Sequence, residues 1–286
     1  MSGWRKYLFG FPDGGALPAA LPARHRFHGD YGLQLYSLRN QLPGHLDRVL
    51  AWVHRLGYRE VEPLGYYGTT PAGLRRALDR AGLRCTSVHF DASLFERQFA
   101  GVVQTCHALG AGYAICSSFD WQRRYQLTPA DMRLQAQRFN RWAARLRRKG
   151  LRFGYHNHDF DFRLAGGRPL YDRLLEHTRP ELVDFEMDIF WVARGGQDPV
   201  QYLQRYPGRF RLMHLKDMRR GTPRGFATTQ TAGDASVALG QGVLNLPAIL
   251  RAAAAAGVER YYVEDESPAA PREIVTSIHY LKTVQF

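Results

Sequence analysis

The feature that most constrains the fold of this chain is a strand–helix unit that recurs eight times along the sequence. Each unit places a short β-branched or aromatic run before a polar loop and an amphipathic helix rich in Ala, Leu and Arg. Consecutive parallel strands need a helical crossover, so the repeat predicts a parallel sheet. Glycines mark the ends of several helices, as expected where a chain leaves a helix in a left-handed conformation: Gly57, Gly82, Gly110, Gly150 and Gly257.

The number of units indicates which parallel sheet forms. The predicted strands are residues 31–37, 59–64, 84–89, 112–117, 151–156, 183–188, 211–216 and 260–265. The predicted helices are residues 45–56, 71–81, 94–109, 128–149, 169–178, 198–205, 246–256 and 271–283. Eight units close a (β/α)8 TIM barrel, whereas a doubly wound sheet would want a glycine-rich phosphate turn after its first strand. We therefore predict a single-domain TIM barrel over residues 30–286, after an N-terminal extension over residues 1–29.

Composition narrows the class of protein further. Hydrophobic residues make up 45% and charged residues 23% of 286 residues, which are values typical of a globular domain. No apolar run approaches the ~18 residues of a membrane helix, and three cysteines without a CxxC pair argue against a disulfide framework. The first residues do not resemble a secretory signal. We expect a cytoplasmic protein without a membrane partner, with a periplasmic location open if an export signal has been trimmed.

The net charge of +13 raises the question of a polyanionic partner. The basic residues are scattered and almost all arginine, which favours a generally basic surface over a nucleic-acid-binding face. Lysine is scarce, and its few positions are Lys6, Lys149, Lys216 and Lys282. Among them, Lys216 alone follows a predicted strand at the end where a barrel carries its active site.

Polar side chains with ligand chemistry stand at the C-terminal ends of several predicted strands. They are Glu62, His89, His156, His158, Glu186, Asp188, His214, Lys216, Glu264 and Glu266. Residues two apart on a strand share a face, so His156 pairs with His158 and His214 with Lys216. Imidazoles mixed with carboxylates suit one divalent metal ion such as Mn²⁺, Mg²⁺, Zn²⁺ or Co²⁺. Singly, each residue has a plainer interpretation as a hydrogen-bonded strand end or a helix cap.

Several longer runs resemble a known family. They are GYREVEPLGYYG (57–68), GYHNHDFDF (154–162), EMDIFWVARGGQDP (186–199), MHLKDM (213–218), GQGVLNLPAIL (240–250) and YYVEDE (261–266). With them, residues 30–285 resemble the sugar phosphate isomerase/epimerase family of xylose isomerase-like barrels, which also includes endonuclease IV. The similarity is greatest to the branch with HNHDFEF and HLKDM motifs. The resemblance implies one divalent metal held by His156, Asp188, His214 and Glu264.

Two departures from the family pattern bear on function. Epimerases of the family commonly have Glu at strand five, where this chain has His156 with His158 beside it. Which histidine binds the metal is open, and a two-carboxylate epimerase mechanism is in doubt. Endonuclease IV relatives carry Asp-x-x-His at strand six, but Asp188 is followed by Trp191 at that spacing. A trinuclear zinc cluster and an endonuclease IV-like activity are therefore not expected.

The predicted chemistry lies next to a carbonyl group. A metal polarises the carbonyl and stabilises the enolate that forms when a base removes the neighbouring proton. The catalytic candidates are Glu264, Lys216, His158 and Glu62, and the candidates for substrate binding are His89, Trp191, Tyr66 and Tyr67. A nearby metal would lower the pKa of Lys216; the alternative is that Lys216 pairs with an acidic neighbour.

Two reactions share that enolate. We predict a metal-dependent sugar isomerase or epimerase, and the alternative is a lyase or dehydratase that eliminates a β-substituent from a keto-sugar or 3-keto-glycoside. A sugar-binding barrel without catalysis is less favoured. The expected partner is a small sugar rather than nucleic acid, and homo-oligomerisation is left open.

Overall fold

Nine parallel strands form one sheet that curls into a barrel. A computed structural model describes residues 31–225 and 232–286; the predicted N-terminal extension and residues 226–231 of the loop 217–241 lie outside the described residues. The strands are β1 (Gly32–Gln34), β2 (Glu60–Glu62), β3 (Arg84–Cys85), β4 (Ser87–Asp91), β5 (Tyr113–Ser118), β6 (Arg152–His156), β7 (Val183–Asp188), β8 (Phe210–Leu215) and β9 (Arg260–Val263). The single-domain TIM barrel predicted from the sequence is confirmed.

The barrel closes at a seam between β3 and β4. The strand order is β3–β2–β1–β9–β8–β7–β6–β5–β4, so the two edge strands are neighbours in the chain, separated by Thr86. β3 pairs with β2, β4 pairs with β5, and a parallel bridge joins Leu64 to His89. The predicted third strand, 84–89, is therefore one strand that changes its partner at Thr86.

Helices cross over between consecutive strands. They are α1 (Leu46–Leu56), α2 (Pro71–Ala81), α3 (Ala92–Arg97), α4 (Phe99–Leu109), α5 (Pro129–Arg147), α6 (Leu170–His177), α7 (Ile189–Arg194), α8 (Pro199–Arg205), α9 (Ala232–Ala235), α10 (Leu246–Ala256) and α11 (Ala270–Thr283). α2 shows why they begin and end where they do. The Thr70 hydroxyl accepts from Gly73 N at 3.1 Å, and Gly82 leaves the helix at a φ of 72°. Such a cap contributes about 1 kcal/mol.

Several elements differ from the sequence-based expectation, among them the following. The predicted helix 94–109 is two helices, because the Asp91 carboxylate caps α3 early and Gln98 leaves the helical region at φ −136°. The predicted strand 31–37 ends at Gln34, whose side-chain oxygen accepts from Tyr36 N and begins a 3₁₀ turn. The short helix α7 was not predicted, and it begins directly at Asp188.

The hydrophobic core fills the space between sheet and helices. The Trp142 ring of α5 stacks on Phe95 of α3 at 5.1 Å between centroids, and both rings contact Phe153 of β6. Each such buried side chain contributes roughly 1.5–3 kcal/mol. Inside the barrel, Tyr262 contacts the His214 ring and belongs to an apolar layer beneath the polar strand ends. In the part of the chain that the structure describes, no helix combines the length and apolarity needed to cross a bilayer.

Candidate active site

Glu62 lies under the polar strand ends and accepts hydrogen bonds on both of its oxygens. Its Oε1 accepts from Gln34 Nε2 at 2.8 Å and pairs with His214 Nε2 at 2.7 Å, and its Oε2 accepts from the Ser87 hydroxyl. Burial alone would raise the pKa of this carboxyl group, but the facing imidazoles hold the pKa well below its usual range. Glu62 is fully buried and does not line the cavity.

His89 sits between two carboxylates. Its Nε2 is 2.7 Å from Glu186 Oε2 and 2.9 Å from Glu62 Oε1. Burial favours the neutral imidazole, but the two carboxylates outweigh it and raise the pKa of His89 to about 9. His89 is therefore a cation at neutral pH that compensates the two buried carboxylates.

His214 connects this deep layer to the outer one. Its Nε2 faces Glu62 and lies 3.2 Å from Glu186 Oε2, while its Nδ1 lies 3.2 Å from Glu264 Oε2 and 4.0 Å from Asp188 Oδ2. A carboxylate on the Nε2 side fixes the proton there and leaves Nδ1 available as a ligand atom. Burial alone would lower the pKa of His214, but in the metal-free site these carboxylates raise it.

One carboxylate oxygen of Asp188 accepts hydrogen bonds, and the other has no hydrogen-bond partner. Its Oδ1 accepts from Phe190 N at 2.9 Å and Trp191 N at 3.1 Å, which caps α7. Asn157 fixes the backbone of Asp188 by hydrogen bonds to both its N–H and its carbonyl. The Oδ2 atom is buried without a hydrogen bond, and burial raises the pKa of the carboxyl group to about 6.

Lys216 is fully buried among three carboxylates. Its Nζ contacts Glu266 Oε1, lies 3.2 Å from Glu264 Oε2 and is 3.7 Å from Asp188 Oδ2. Burial would lower the pKa of the ammonium, but the carboxylates raise it above its usual range. Lys216 thus pairs with acidic neighbours, as the alternative interpretation has it, and the fall in its pKa beside a bound metal stays a prediction.

A divalent metal ion fits the outer layer. Ligand atoms of Asp188, His214 and Glu264 all lie within 4.8 Å of one another, and the buried Asp188 Oδ2 lacks a hydrogen bond. His156 Nε2 lies 3.9 Å from that oxygen, whereas its Nδ1 is 3.1 Å from Glu186 Oε2. Carboxylate and imidazole donors of this kind suit the predicted divalent ions. The three donors and His156 are the four ligands that the family resemblance implied.

A second set of ligand-type atoms lies deeper. It comprises His89, His156, Glu186 and His214. The hydrogen bonds that join this set to Glu62 engage the Nε2 atoms of His89 and His214. Oε1 of Glu186, like Oδ2 of Asp188, is buried without a hydrogen bond, so an open carboxylate oxygen does not by itself distinguish the outer layer from this deeper set.

A cavity of about 310 Å³ opens above the outer layer. Its walls are formed by Gln34, Tyr36, Leu64, His89, Ser117, Ser118, Trp121, His156, His158, Trp191, Glu264 and Glu266. His158 faces this space: its ring contacts the indoles of Trp121 and Trp191 at 5.4 and 5.5 Å between centroids. The Nδ1 atom of His158 has no hydrogen-bond partner.

The structure does not bring every predicted residue to the cavity. The Tyr66 hydroxyl bonds to Thr105 of α4 at 2.8 Å, and the Tyr67 hydroxyl accepts from Leu64 N at 3.2 Å. Neither tyrosine lines the cavity, because the loop after β2 turns their rings away from it. Glu62 likewise acts on His214 from below rather than at the cavity surface.

Several cavity residues were not among the predicted catalytic or substrate-binding candidates. The alternation of Glu264 and Glu266 pointed to Glu266, because both share a face of the last strand. Gln34 carried a weaker signal, since it ends β1 at the same rim. Trp121, Ser117 and Ser118 lie at and beyond the end of β5, where loop geometry decides which side chains face inward.

Comparison with known proteins identifies the family. Residues 50–284 match the family model described as xylose isomerase-like TIM barrel. The chain belongs to this family. An inosose dehydratase of Geobacillus kaustophilus (strain HTA426) is 29% identical over 193 residues, which are 60% of this chain and 62% of that protein. The chain thus matches about three fifths of the length of such curated relatives.

Solved structures agree with the fold. A sugar phosphate isomerase/epimerase from Parabacteroides distasonis ATCC 8503 aligns with a TM-score of 0.73 at 25% identity, over 96% of this chain and 99% of the other. The IOLI protein, solved with a zinc atom, aligns with a TM-score of 0.70 at 16% identity, over 89% and 96% of the two chains. At that identity, the second likeness supports the fold alone. As a member of this family, the protein is an enzyme of the xylose isomerase-like superfamily. The polar strand ends described above form its candidate active site.

Proposed function

We propose that the protein is a metal-dependent lyase that removes water, or another β-substituent, from a polyol carrying a ketone. The observation that carries the proposal is that an imidazole at the cavity wall and an ammonium buried behind Glu266 lie at the same site. The buried Lys216 ammonium contacts Glu264 and Glu266, and the His158 imidazole has an unpartnered nitrogen. Elimination needs one proton acceptor and one proton donor, whereas the epimerase mechanism of the family uses two carboxylates.

Four side chains would hold the metal in this proposal: His156, Asp188, His214 and Glu264. A divalent ion held by these side chains would supply a Lewis acid for the substrate carbonyl and for the negative charge that develops on its oxygen. His156 rather than His158 is our choice for the fourth ligand, because its Nε2 faces Asp188 Oδ2 at 3.9 Å. Metal analysis of the purified protein would identify the ion among Mn²⁺, Mg²⁺, Zn²⁺ and Co²⁺.

His158 is the proposed base. Burial and the Lys216 ammonium lower the pKa of its imidazole to about 3, so the ring is neutral; because such an imidazole is a weak base, the proposal relies on the metal to acidify the C–H bond. The indoles of Trp121 and Trp191 contact the His158 ring and limit its access to water.

The pair of Lys216 and Glu266 is the proposed acid. The C–H bond next to the ketone breaks first and its proton goes to His158, which leaves an enolate. The C–O bond at the next carbon then breaks, a C=C bond forms, and the departing hydroxyl takes a proton from the Lys216–Glu266 pair to leave as water. Glu266 lines the cavity and connects the buried ammonium to it.

The comparisons support this choice over the isomerase that the sequence favoured. The curated relatives are called inosose dehydratases, which is a lyase activity on a ketone. Isomerisation or epimerisation remains the second candidate, because the Parabacteroides distasonis structures carry that description at 25% identity. Both reactions begin with the same removal of a proton.

The test is incubation of the Mn²⁺-loaded protein with an inosose and with a 3-keto-glycoside. The lyase predicts an unsaturated ketone with new ultraviolet absorbance and the loss of one water, or of the glycosyl substituent, by mass spectrometry. Formation of an isomer of unchanged mass, with solvent deuterium at one carbon, would instead establish the isomerase. The Lys216→Met variant should retain proton exchange and lose elimination, because it keeps the base and removes the acid.

A further inference from the structure

The carboxylate of Asp217, in the loop after β8, accepts four hydrogen bonds from backbone N–H groups of that loop. Its Oδ2 accepts from Gly240 N at 3.0 Å and Gly242 N at 2.9 Å. Its Oδ1 accepts from Met218 N at 2.8 Å and Leu244 N at 3.1 Å. Charge-assisted bonds of this kind are strong, so the carboxylate fixes the backbone that donates them. Asp217 is fully buried and does not line the cavity, and the proposed function gives it no role.

This carboxylate joins the outgoing and the returning parts of the loop. Asp217–Met218 pairs antiparallel with Ser236–Val237, and Val243 N donates to the Met218 carbonyl at 2.9 Å. Glycine is needed at position 242, because a Cβ there would overlap the Asp217 carboxylate. The loop is therefore packed around Asp217 with no room for a second position of its side chain.

Two of the four bound residues pack against α7. Met218 belongs to a buried apolar cluster with Phe190 of α7, and Leu244 and Trp191 pack against the same cluster. The N–H groups of Met218 and Leu244 both bind Oδ1 of Asp217. The side chains that support α7 thus come from backbone that one carboxylate oxygen holds in place.

The rings of α7 in turn cover the proposed acid. The Lys216 Nζ lies 5.1 Å from the Phe190 ring centroid and 5.2 Å from that of Trp191, which is within the range of a cation–π interaction. Trp191 also lines the cavity. A shift of these two rings would change both the surroundings of the Lys216 ammonium and its separation from the cavity.

The proposed base and the metal-binding Asp188 have anchors of their own. The His158 N–H donates to Asp161 Oδ2 at 2.8 Å, and the His158 ring stacks on Phe160 at 5.4 Å between centroids. The backbone of Asp188 is bound on both its N–H and its carbonyl by the side chain of Asn157. A disturbance of the loop after β8 therefore reaches the acid more directly than the base or the metal site.

We propose that Asp217 is a positioning residue, which acts through the loop after β8 to hold the rings of α7 over Lys216. Asp217 itself contacts neither substrate nor metal in this arrangement. The contact path from Asp217 to α7 stands on the bonds and packing described above. Only its consequence for the elimination step rests on the proposed function, in which Lys216 with Glu266 supplies the proton to the leaving group.

The first test is Asp217→Asn in the Mn²⁺-loaded full-length protein. Asparagine keeps the size of the side chain, but its NH₂ group would face two backbone N–H donors, so two of the four hydrogen bonds are lost. We expect elimination from an inosose to slow about 10- to 100-fold, as for a misplaced catalytic group. Exchange of solvent deuterium into recovered substrate and the Mn²⁺ affinity should stay close to the wild-type values. Gly242→Ala crowds the intact carboxylate and should separate the two rates in the same direction.

A matched variant controls for lost stability. Asp172 is also a buried carboxylate, but it accepts from the Tyr202 hydroxyl at 2.6 Å on the outer side of the barrel and does not line the cavity. Asp172→Asn should lower the unfolding temperature and leave the ratio of elimination to exchange unchanged. If Asp217→Asn lowers elimination and exchange by the same factor, or alters neither, the positioning role is overturned.

A second measurement needs no activity. The indole ¹⁵N–H resonance of Trp191, assigned with Trp191→Phe, reports the position of α7. It should shift in Asp217→Asn and in Gly242→Ala and stay in place in Asp172→Asn. An unshifted resonance in both loop variants would overturn the inference. If the wild type eliminates nothing from either test substrate, the proposed function fails, and this resonance alone then decides whether Asp217 positions α7.

Discussion

Glu62 offers the sharpest test of how the site is built. It forms a 2.7 Å contact with His214 Nε2 from below, and it lies outside the cavity lining. If Glu62 fixes the proton on Nε2, it keeps Nδ1 directed toward Asp188 and Glu264 for the metal. Glu62→Gln keeps the side-chain volume and removes the charged acceptor.

The expected loss of Mn²⁺ affinity in Glu62→Gln follows from the contact between Glu62 and His214. A hydrogen bond to a charged group contributes about 1.5–3 kcal/mol, and loss of a carboxylate that orients a metal-binding histidine weakens metal affinity about 10- to 100-fold. The two ranges agree, since 1.4 kcal/mol corresponds to about tenfold. We expect Glu62→Gln to weaken Mn²⁺ binding by this factor, measured by calorimetric titration of chelator-treated protein.

Two controls separate orientation from charge and from stability. Glu60→Gln removes a buried carboxylate from the same strand, but Glu60 pairs with Arg260 and Arg84 rather than with the site. It should lower the unfolding temperature and leave the Mn²⁺ affinity unchanged. Glu62→Asp keeps the charge and withdraws the oxygen from His214. If Glu62→Asp binds Mn²⁺ like the wild type, or Glu62→Gln changes the affinity less than twofold, the orienting role of Glu62 is refuted.

Three further predictions address the metal, the pH dependence and the scaffold. Asp188→Asn keeps the cap of α7 but removes the free carboxylate oxygen, so bound Mn²⁺ after dialysis should fall further than in Glu62→Gln, with a small change in unfolding temperature. Burial raises the pKa of Asp161 to about 8; the unfolded chain releases this proton near pH 4, so stability should decline from about pH 4 to pH 8. Urea unfolding should show a shallower decline for Asp161→Asn, and an unchanged slope would contradict the raised pKa. Thr70→Ala removes the cap of α2 and should cost about 1 kcal/mol, or roughly 2–4 °C in unfolding temperature, without affecting Mn²⁺ affinity.

The sequence predicted the fold and the convergence of polar strand ends for one physical reason, whereas the choice of metal ligands came from the family resemblance and stays a prediction. Parallel strands in a barrel end at the same rim, so Asp188, His214 and Glu264 had to lie close together once the strands were identified. Alternation along each strand then indicated which residues face inward. These arguments depend only on periodicity and topology, which a single sequence carries.

The remaining features depend on distances between strands that a sequence does not carry. The pKa of Lys216 is raised because carboxylates from β7 and from the end of β9 lie close to its ammonium. The sequence-based argument considered only a nearby metal, which would lower that pKa. Tyr66 and Tyr67 leave the rim because their hydroxyls bond to Thr105 and to the backbone of Leu64. Loop residues follow such local bonds rather than the strand period, so their placement was not predictable.

The seam at Thr86 links the closure of the barrel to metal binding at the candidate site. The edge strands β3 and β4 meet there, and His89, which bridges to Leu64, also contacts Glu62 and Glu186. A ligand that binds the closed barrel and not the opened one stabilises the closed seam, and the stabilisation grows with the logarithm of the ligand concentration above its Kd. Amide hydrogen exchange at Thr86 and His89 therefore provides a reporter of metal binding that requires no substrate and no knowledge of the reaction.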